Sequence, residues 1–221
     1  MSEQRQSAIA VLTGDLVGST ALSADQLAVV RARLAEVARA CDLWENGLVV
    51  GMPQFFRGDS WQMALGNSGH GLRAAVALRA GLLSLDMPVD TRISIGIGGV
   101  ERLNADQVSV SVGEAFTLSG LGLDAMDRAS GFRLALPSEH ADSLHWLFPL
   151  VELCGAFVGR FKPWHADVAW RWIAPRPPLQ REIADATGRR QSSVSEAMSV
   201  SGMRVLEPVL GAFARGVAQV Q

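Results

Sequence analysis

The sequence predicts an α+β protein: helices packed on an antiparallel-rich sheet, followed by a small all-helical part at the C-terminus. Three observations predict it. Strand-like and helix-like apolar patterns alternate through the first 136 residues in the order β-α-β-β-α-β, with a helix and a strand added. The run APRPP, residues 174–178, then interrupts the chain, and the segment behind it has the spacing of two short helices joined by a tight turn. Hydrophobic residues make up 48% of the chain against 19% charged, enough apolar material for a large core.

Each element follows from its pattern. AIAVLTGD reads as a strand, and the helix after it carries Leu27, Val30, Leu34, Val37 and Cys41 on one face. GLVVGMPQFF and SWQMALG form a pair of strands with RGD at their turn. GHGLRAAVALRAGLLSL is a second amphipathic helix, and TRISIGIGGV a strand alternating Ile93, Ile95 and Ile97. GEAFTLSGLGLDAM gives a third helix and GFRLAL a short strand. The chain thus divides into residues 1–137, a helical connector over 138–174, and a C-terminal part over 175–221.

Composition excludes several classes. No apolar run is long enough to span a bilayer, and MSEQRQSAIAVL lacks a signal-peptide core, so a cytoplasmic protein without membrane partners is expected. Lys162 is the only lysine, which rules out a Walker A phosphate loop. Cys41 and Cys154 sit in apolar helical contexts and read as buried thiols. The four histidines lack the i, i+4 pairing or cysteine companions of zinc ligands. From Pro175 onward there are six arginines and four acids, a mildly basic tail on an acidic body.

Two carboxylates draw attention. Asp15 ends the first strand, and Asp59 lies at the turn of the following strand pair, which a β-α-β-β arrangement sets beside the first strand. Adjacent carboxylates repel unless a cation joins them, so Mg²⁺ or Mn²⁺ is the expected ligand. Gly18, Ser19 and Thr20 would then cradle a nucleotide phosphate through backbone N–H groups and hydroxyls, with Arg57 close by. Glu114, at a helix start, reads as a favourable first-turn charge.

These residues carry a resemblance. VLTGDLVGST resembles the opening motif of class III nucleotide cyclase homology domains, RGDS their second metal-aspartate hairpin, and TRISIGIGGV with VSVGEAFTLSGLGLDAM their later strand and helix. Overall the chain is most similar to the SatD-like bacterial branch, in which such a domain precedes a helix-turn-helix. The resemblance spans residues 8–136 and implies a ferredoxin-like palm, metal ligation by Asp15 and Asp59, a purine nucleotide, and a homodimer whose partner completes each site. Four family positions are replaced. The base-selecting groups fall on Phe55 and Val110, and the transition-state Asn and Arg on Thr117 and Leu121. Leucine cannot neutralise charge on a transferring phosphoryl group, so efficient cyclisation is not expected. An aromatic Phe55 could still stack on a base.

In the C-terminal part, Ile183, Ala184, Gly188 and Val194 have helix-turn-helix spacing, and IADATGRRQSSVSEAM resembles bacterial regulator motifs. Gln191 would open the recognition helix, with Ser192, Ser193 and Ser195 along its exposed side, and Arg181, Arg189 and Arg190 placed for phosphates. A hairpin used only for packing is the alternative. Trp164, Trp170 and Trp172 read as an interdomain or dimer core, or as a nucleic-acid stacking platform. Two functions therefore stand: a dimeric DNA-binding transcription regulator with a degenerate cyclase-like body, and a metal-dependent nucleotidyl cyclase or related nucleotide-transfer enzyme.

Overall fold

A computed structural model describes residues 8–220. The chain folds as a mixed α/β protein around one five-stranded mixed sheet. Its strands are β1 (Ile9–Val17), β2 (Val49–Arg57), β3 (Ser60–Leu65), β4 (Asp90–Gly98) and β5 (Phe132–Ala135), in spatial order β2-β3-β1-β4-β5. β1 lies antiparallel between β3 and β4, and β5 adds parallel to β4 at the edge. Three of the four strand pairings are antiparallel, as the sequence suggested, and the β4–β5 edge pair makes the sheet mixed.

Alternation along β1 and β4 sorts the two faces. Ala10, Leu12 and Leu16, with Ile93, Ile95 and Ile97, meet α1 (Ala24–Asp42) and α2 (Gly71–Leu83) in the main core. Ile9 and Val11 point the other way, toward α3 (Glu114–Asp124), with Ala115, Phe116 and Val108. Under α3 a buried polar chain runs from Gln62 to the Thr13 hydroxyl at 2.9 Å and on to Ser119 at 2.7 Å. It satisfies groups that would otherwise be desolvated without partners.

Residues 138–173 form a short helix α4 (Ser138–Ala141), then α5 (Leu147–Val158) and α6 (Pro163–Trp172). α5, α6 and α9 (Leu206–Val217) pack on α2, which is buried from Gly71 to Leu82, while α7 (Gln180–Thr187) and α8 (Gln191–Val200) pack on each other and on α6. Two arginines inside α2 tie down the surrounding elements. The Arg73 guanidinium donates to Ile173 O at 2.6 Å and to both carboxylate oxygens of Glu207 at 2.8 and 3.0 Å. Arg79 donates to Asp90 at 2.7 and 2.8 Å and to Gly155 O at 2.6 Å. Each buried charge is thus both paired and hydrogen-bonded, the condition for burying one at moderate cost.

One apolar cluster runs from the sheet through α5 and α6 into Ile183, Val194, Met198 and Phe213. The body and the C-terminal helices consequently share a core. Pro208 falls in the first turn of α9, where a missing N–H costs little. No described helix is long and apolar enough to cross a membrane.

Cys41 and Cys154 are buried free thiols, and burial pushes Cys154 up to about 12 and Cys41 well above the ordinary thiol range. Neither forms thiolate near neutral pH. Ellman's reagent at pH 8 is expected to leave the native chain unmodified over minutes and to titrate both thiols after denaturation. Rapid labelling of the folded protein would contradict this burial.

Candidate functional site

The sequence-predicted residues gather in two places. The first is the sheet end where β1 finishes and the β2–β3 hairpin turns. Asp15 lies opposite Ser60 on β3 and opposite Arg92 on β4, so one register brings it beside both the Asp59 turn and a guanidinium. Leu16 N–H donates to Asp59 O at 3.1 Å, and the Ser19 hydroxyl donates to Asp59 Oδ2 at 2.9 Å. Asp15, Ser19 and Asp59 therefore lie at the same end of the sheet. Gly18, at φ +84°, and Thr20 are exposed on the same turn. Arg57 closes β2, and its side chain lies outside the described residues.

Arg92 is the residue that sequence reasoning missed. Its Nε donates to Asp15 Oδ1 at 3.0 Å, its Nη2 donates to Asp15 Oδ2, and its Nη1 donates to Met126 O at 2.9 Å. Hydrogen bonding to Asp15 holds the guanidinium above its ordinary pKa, with the fields of Asp15 and Asp59 adding to this against partial desolvation. In the sequence Arg92 is simply the residue before Ile93 in an alternating strand. Its role becomes visible only once β1 and β4 are known to be neighbours.

This arrangement bears on the expected metal. Both oxygens of Asp15 already accept from Arg92, whereas Asp59 accepts from the Ser19 hydroxyl and has no ion pair among the described residues. Among the described residues no group of three or more His, Cys, Asp or Glu side chains converges as a metal cage. The residues as placed do not fit a two-aspartate chelate, because a divalent ion there would sit against a guanidinium. Removing that guanidinium should reverse the preference. Millimolar Mn²⁺ is expected to move the melting temperature of the native chain by less than about 1 °C, but that of Arg92→Met by several degrees through binding to the folded state. Equal shifts in both proteins would show that Arg92 does not occupy the cation position.

The phosphate turn also differs from expectation. A single 3-10 turn spans Ser19–Ala21, and α1 starts only at Ala24. Its N-terminus is closed by Ser23 and Gln26, which bond each other's backbone N–H at 3.2 and 2.9 Å. The free N–H groups of α1 are thus partly spoken for. Phe55 packs on the α1 side of the sheet, opposite Asp15, with the Arg31 guanidinium 4.7 Å from its ring centroid. The base-stacking role considered for Phe55 would need that ring to be free. Thr117 and Leu121 lie on the outward face of α3, Leu121 63% exposed.

The second gathering is C-terminal. α7 and α8 are joined by Gly188, Arg189 and Arg190, with Gly188 left-handed at φ +64° as a tight three-residue turn requires. Leu179 N–H donates to Glu182 Oε2 at 2.7 Å and fixes the start of α7. Ile183, Ala184, Val194, Ala197 and Met198 form the buried seam between the two helices and the body. Gln191, Ser192 and Ser195 are exposed on one face of α8 together with Glu196 and Ser199, while Ser193 is half-buried. Arg181, Arg189 and Arg190 are exposed nearby. Arg189 is not free: its guanidinium stacks 4.1 Å from the Trp164 ring centroid. Trp170 is buried and Trp172 packs on the same core, so the tryptophans join α6 to its neighbours.

A scan against protein-family models finds no match, and a search of curated proteins finds none.

Proposed function

We propose that the protein is a DNA-binding transcription regulator whose ferredoxin-like, cyclase-type body provides dimerisation and a nucleotide-sensing surface rather than catalysis. The observation that carries this reading is the exposed polar strip of α8, Gln191, Ser192 and Ser195, standing behind an arginine-bearing turn while the opposite side of the helix is buried. Short polar side chains at the start of such a helix are the groups that reach base edges, and flanking arginines the groups that reach phosphates. The antiparallel order β2-β3-β1-β4 supports the ferredoxin-like part of the reading. Leu103, Val110, Val112 and Leu121, all exposed, give the α3 side an apolar surface on which a second copy can pair.

A titration tests this. With Arg181, Arg189 and Arg190 each neutralising one phosphate, a dimer engages about six, and log affinity should fall against log salt with a slope of about −5. Anisotropy of a labelled duplex pool measures the slope, and sedimentation at the same concentrations measures the dimer. Absence of saturable duplex binding, or binding by a monomer with no salt dependence, would overturn the proposal.

The approach of Asp15 and Asp59 is what favours the enzymatic reading. Against it, Thr117 and the exposed Leu121 supply no group to neutralise a transferring phosphoryl. Incubation with ATP or GTP and Mn²⁺ is expected to yield no cyclic nucleotide. Robust turnover abolished by Asp15→Ala would reverse the ranking.

A further inference from the structure

Away from both sites, a trough of about 620 Å³ runs between α5 and the segment leading into α9. One side is built from Leu150, Cys154 and Phe157 on one face of α5, with Trp146 just before the helix and Arg160 just after it, a run of roughly 20 Å. Val205, Leu206 and Val209 form the other side. The lining is almost wholly apolar, and Arg160 is its only charged residue. That guanidinium takes part in no ion pair among the described residues.

The charged end has a continuation. A second cavity of about 290 Å³ shares Phe157 and Arg160 with the trough and adds Lys162 and His165. The apolar trough thus adjoins, across Phe157 and Arg160, a compartment lined by two cationic side chains, with no acid among its lining residues. Ligand sites are typically concave, largely apolar and oriented by a few polar groups placed at one end. A neutral hydrocarbon would leave the arginine unused, and a cationic amphiphile would be repelled by it. The guanidinium fork suits a carboxylate, which it can hold with two parallel hydrogen bonds.

We propose that the α5–α9 trough binds an acyl-chain carboxylate, its alkyl tail along α5 and its head group at Arg160 and Lys162. The far wall of the trough is Val205 and the first turn of α9, and Val200 and Ser201, at the end of α8, line the second cavity. An occupant therefore touches both the connector and the C-terminal two-helix unit. Any effect on DNA rests on the reading above, whereas acyl binding does not, so binding is measured without DNA.

The test uses the full chain and dansyl-undecanoate below its micelle concentration, displaced by dodecanoate, dodecanol or dodecyltrimethylammonium. Saturable binding of one probe per chain is expected, with dodecanoate displacing it at least about tenfold better than the cationic amphiphile. Arg160→Gln should weaken dodecanoate by about tenfold and leave dodecanol unchanged. Ala156→Trp, at an exposed position on the trough rim, should abolish both while circular dichroism stays native. Unsaturable binding, equal displacement by both amphiphiles, or indifference to Arg160→Gln would overturn the proposal. So would sedimentation showing a dimer that Ala156→Trp disrupts while probe binding is unchanged, because a second copy would then be the occupant.

Discussion

Replacing Arg189 and Arg190 with alanine is expected to reduce the salt slope of duplex binding from about −5 to about −2 and to cut affinity at moderate salt by roughly a hundredfold, since a dimer loses four of six phosphate contacts. The loss should be similar for every sequence, because phosphate contacts carry register rather than base identity. Gln191→Ala should instead flatten the preference among sequences, with about 1–3 kcal/mol of discrimination lost at the base pair it contacts. The two arginines are not equivalent. Arg190 immediately precedes α8, whereas Arg189 is held on Trp164, so Trp164→Leu serves as a control that removes the stack and keeps both charges. Unchanged affinity and slope in the double variant would make the two-helix unit a packing element and move the enzymatic reading ahead.

Gly96→Val is expected to destabilise the chain by at least about 3 kcal/mol, through overpacking at a site with no room to relax. Gly96 faces α3 from β4, and a Cβ built there overlaps Ala115 O and lies 2.5 Å from Ser119 N. Both are backbone atoms of the helix, so relief requires α3 to lift off the sheet. Lifting α3 also breaks the Thr13–Ser119 hydrogen bond and exposes Val11 and Phe116. Thermal unfolding should show a loss of about 6–12 °C or more for a chain of this size. Gly99→Ala, where a Cβ would meet nothing within 4 Å, should fall within about 0.5 kcal/mol of the native chain. A small effect at Gly96 would mean that α3 does not pack as closely as described.

Periodicity made most elements legible, because faces buried on one side impose their period on the sequence. The alternating isoleucines of β4 and the apolar face of α1 appear where they were read, with ends displaced by a residue or two. The turn at Gly188 and its flanking apolar positions were equally visible, since a left-handed turn and a helix crossing each demand particular residue types. What the sequence concealed were contacts set by long-range register. α2 read as amphipathic, yet Arg73 and Arg79 lie inside it, 8% and 7% exposed. Their partners Glu207 and Gly155 are 134 and 76 residues away in the chain. Asp15 was legible as a strand-end carboxylate, but its ion-pair partner Arg92, 77 residues on, was not. Phe55 was legible as a replaced base-selecting position, but not that it pairs with Trp61 and packs against the main core.

Arg73 spends its guanidinium on the end of α6 and the beginning of α9 at once, from a helix that belongs to the sheet. A tether between the body and the two-helix unit, such as the proline-containing residues 174–178, would ordinarily let a reading head swing and tolerate variable half-site distances. Here the bracket holds α6 and α9 to the body, and under the proposed DNA-binding reading two heads in a dimer would become the jaws of a fixed calliper. Their separation is then dictated by how the bodies meet, and a duplex whose half-sites lie at another distance must itself bend or twist to be held, at an elastic cost the protein does not share. Lengthening the 174–178 segment should leave the preferred spacing untouched, whereas Glu207→Ala should broaden it.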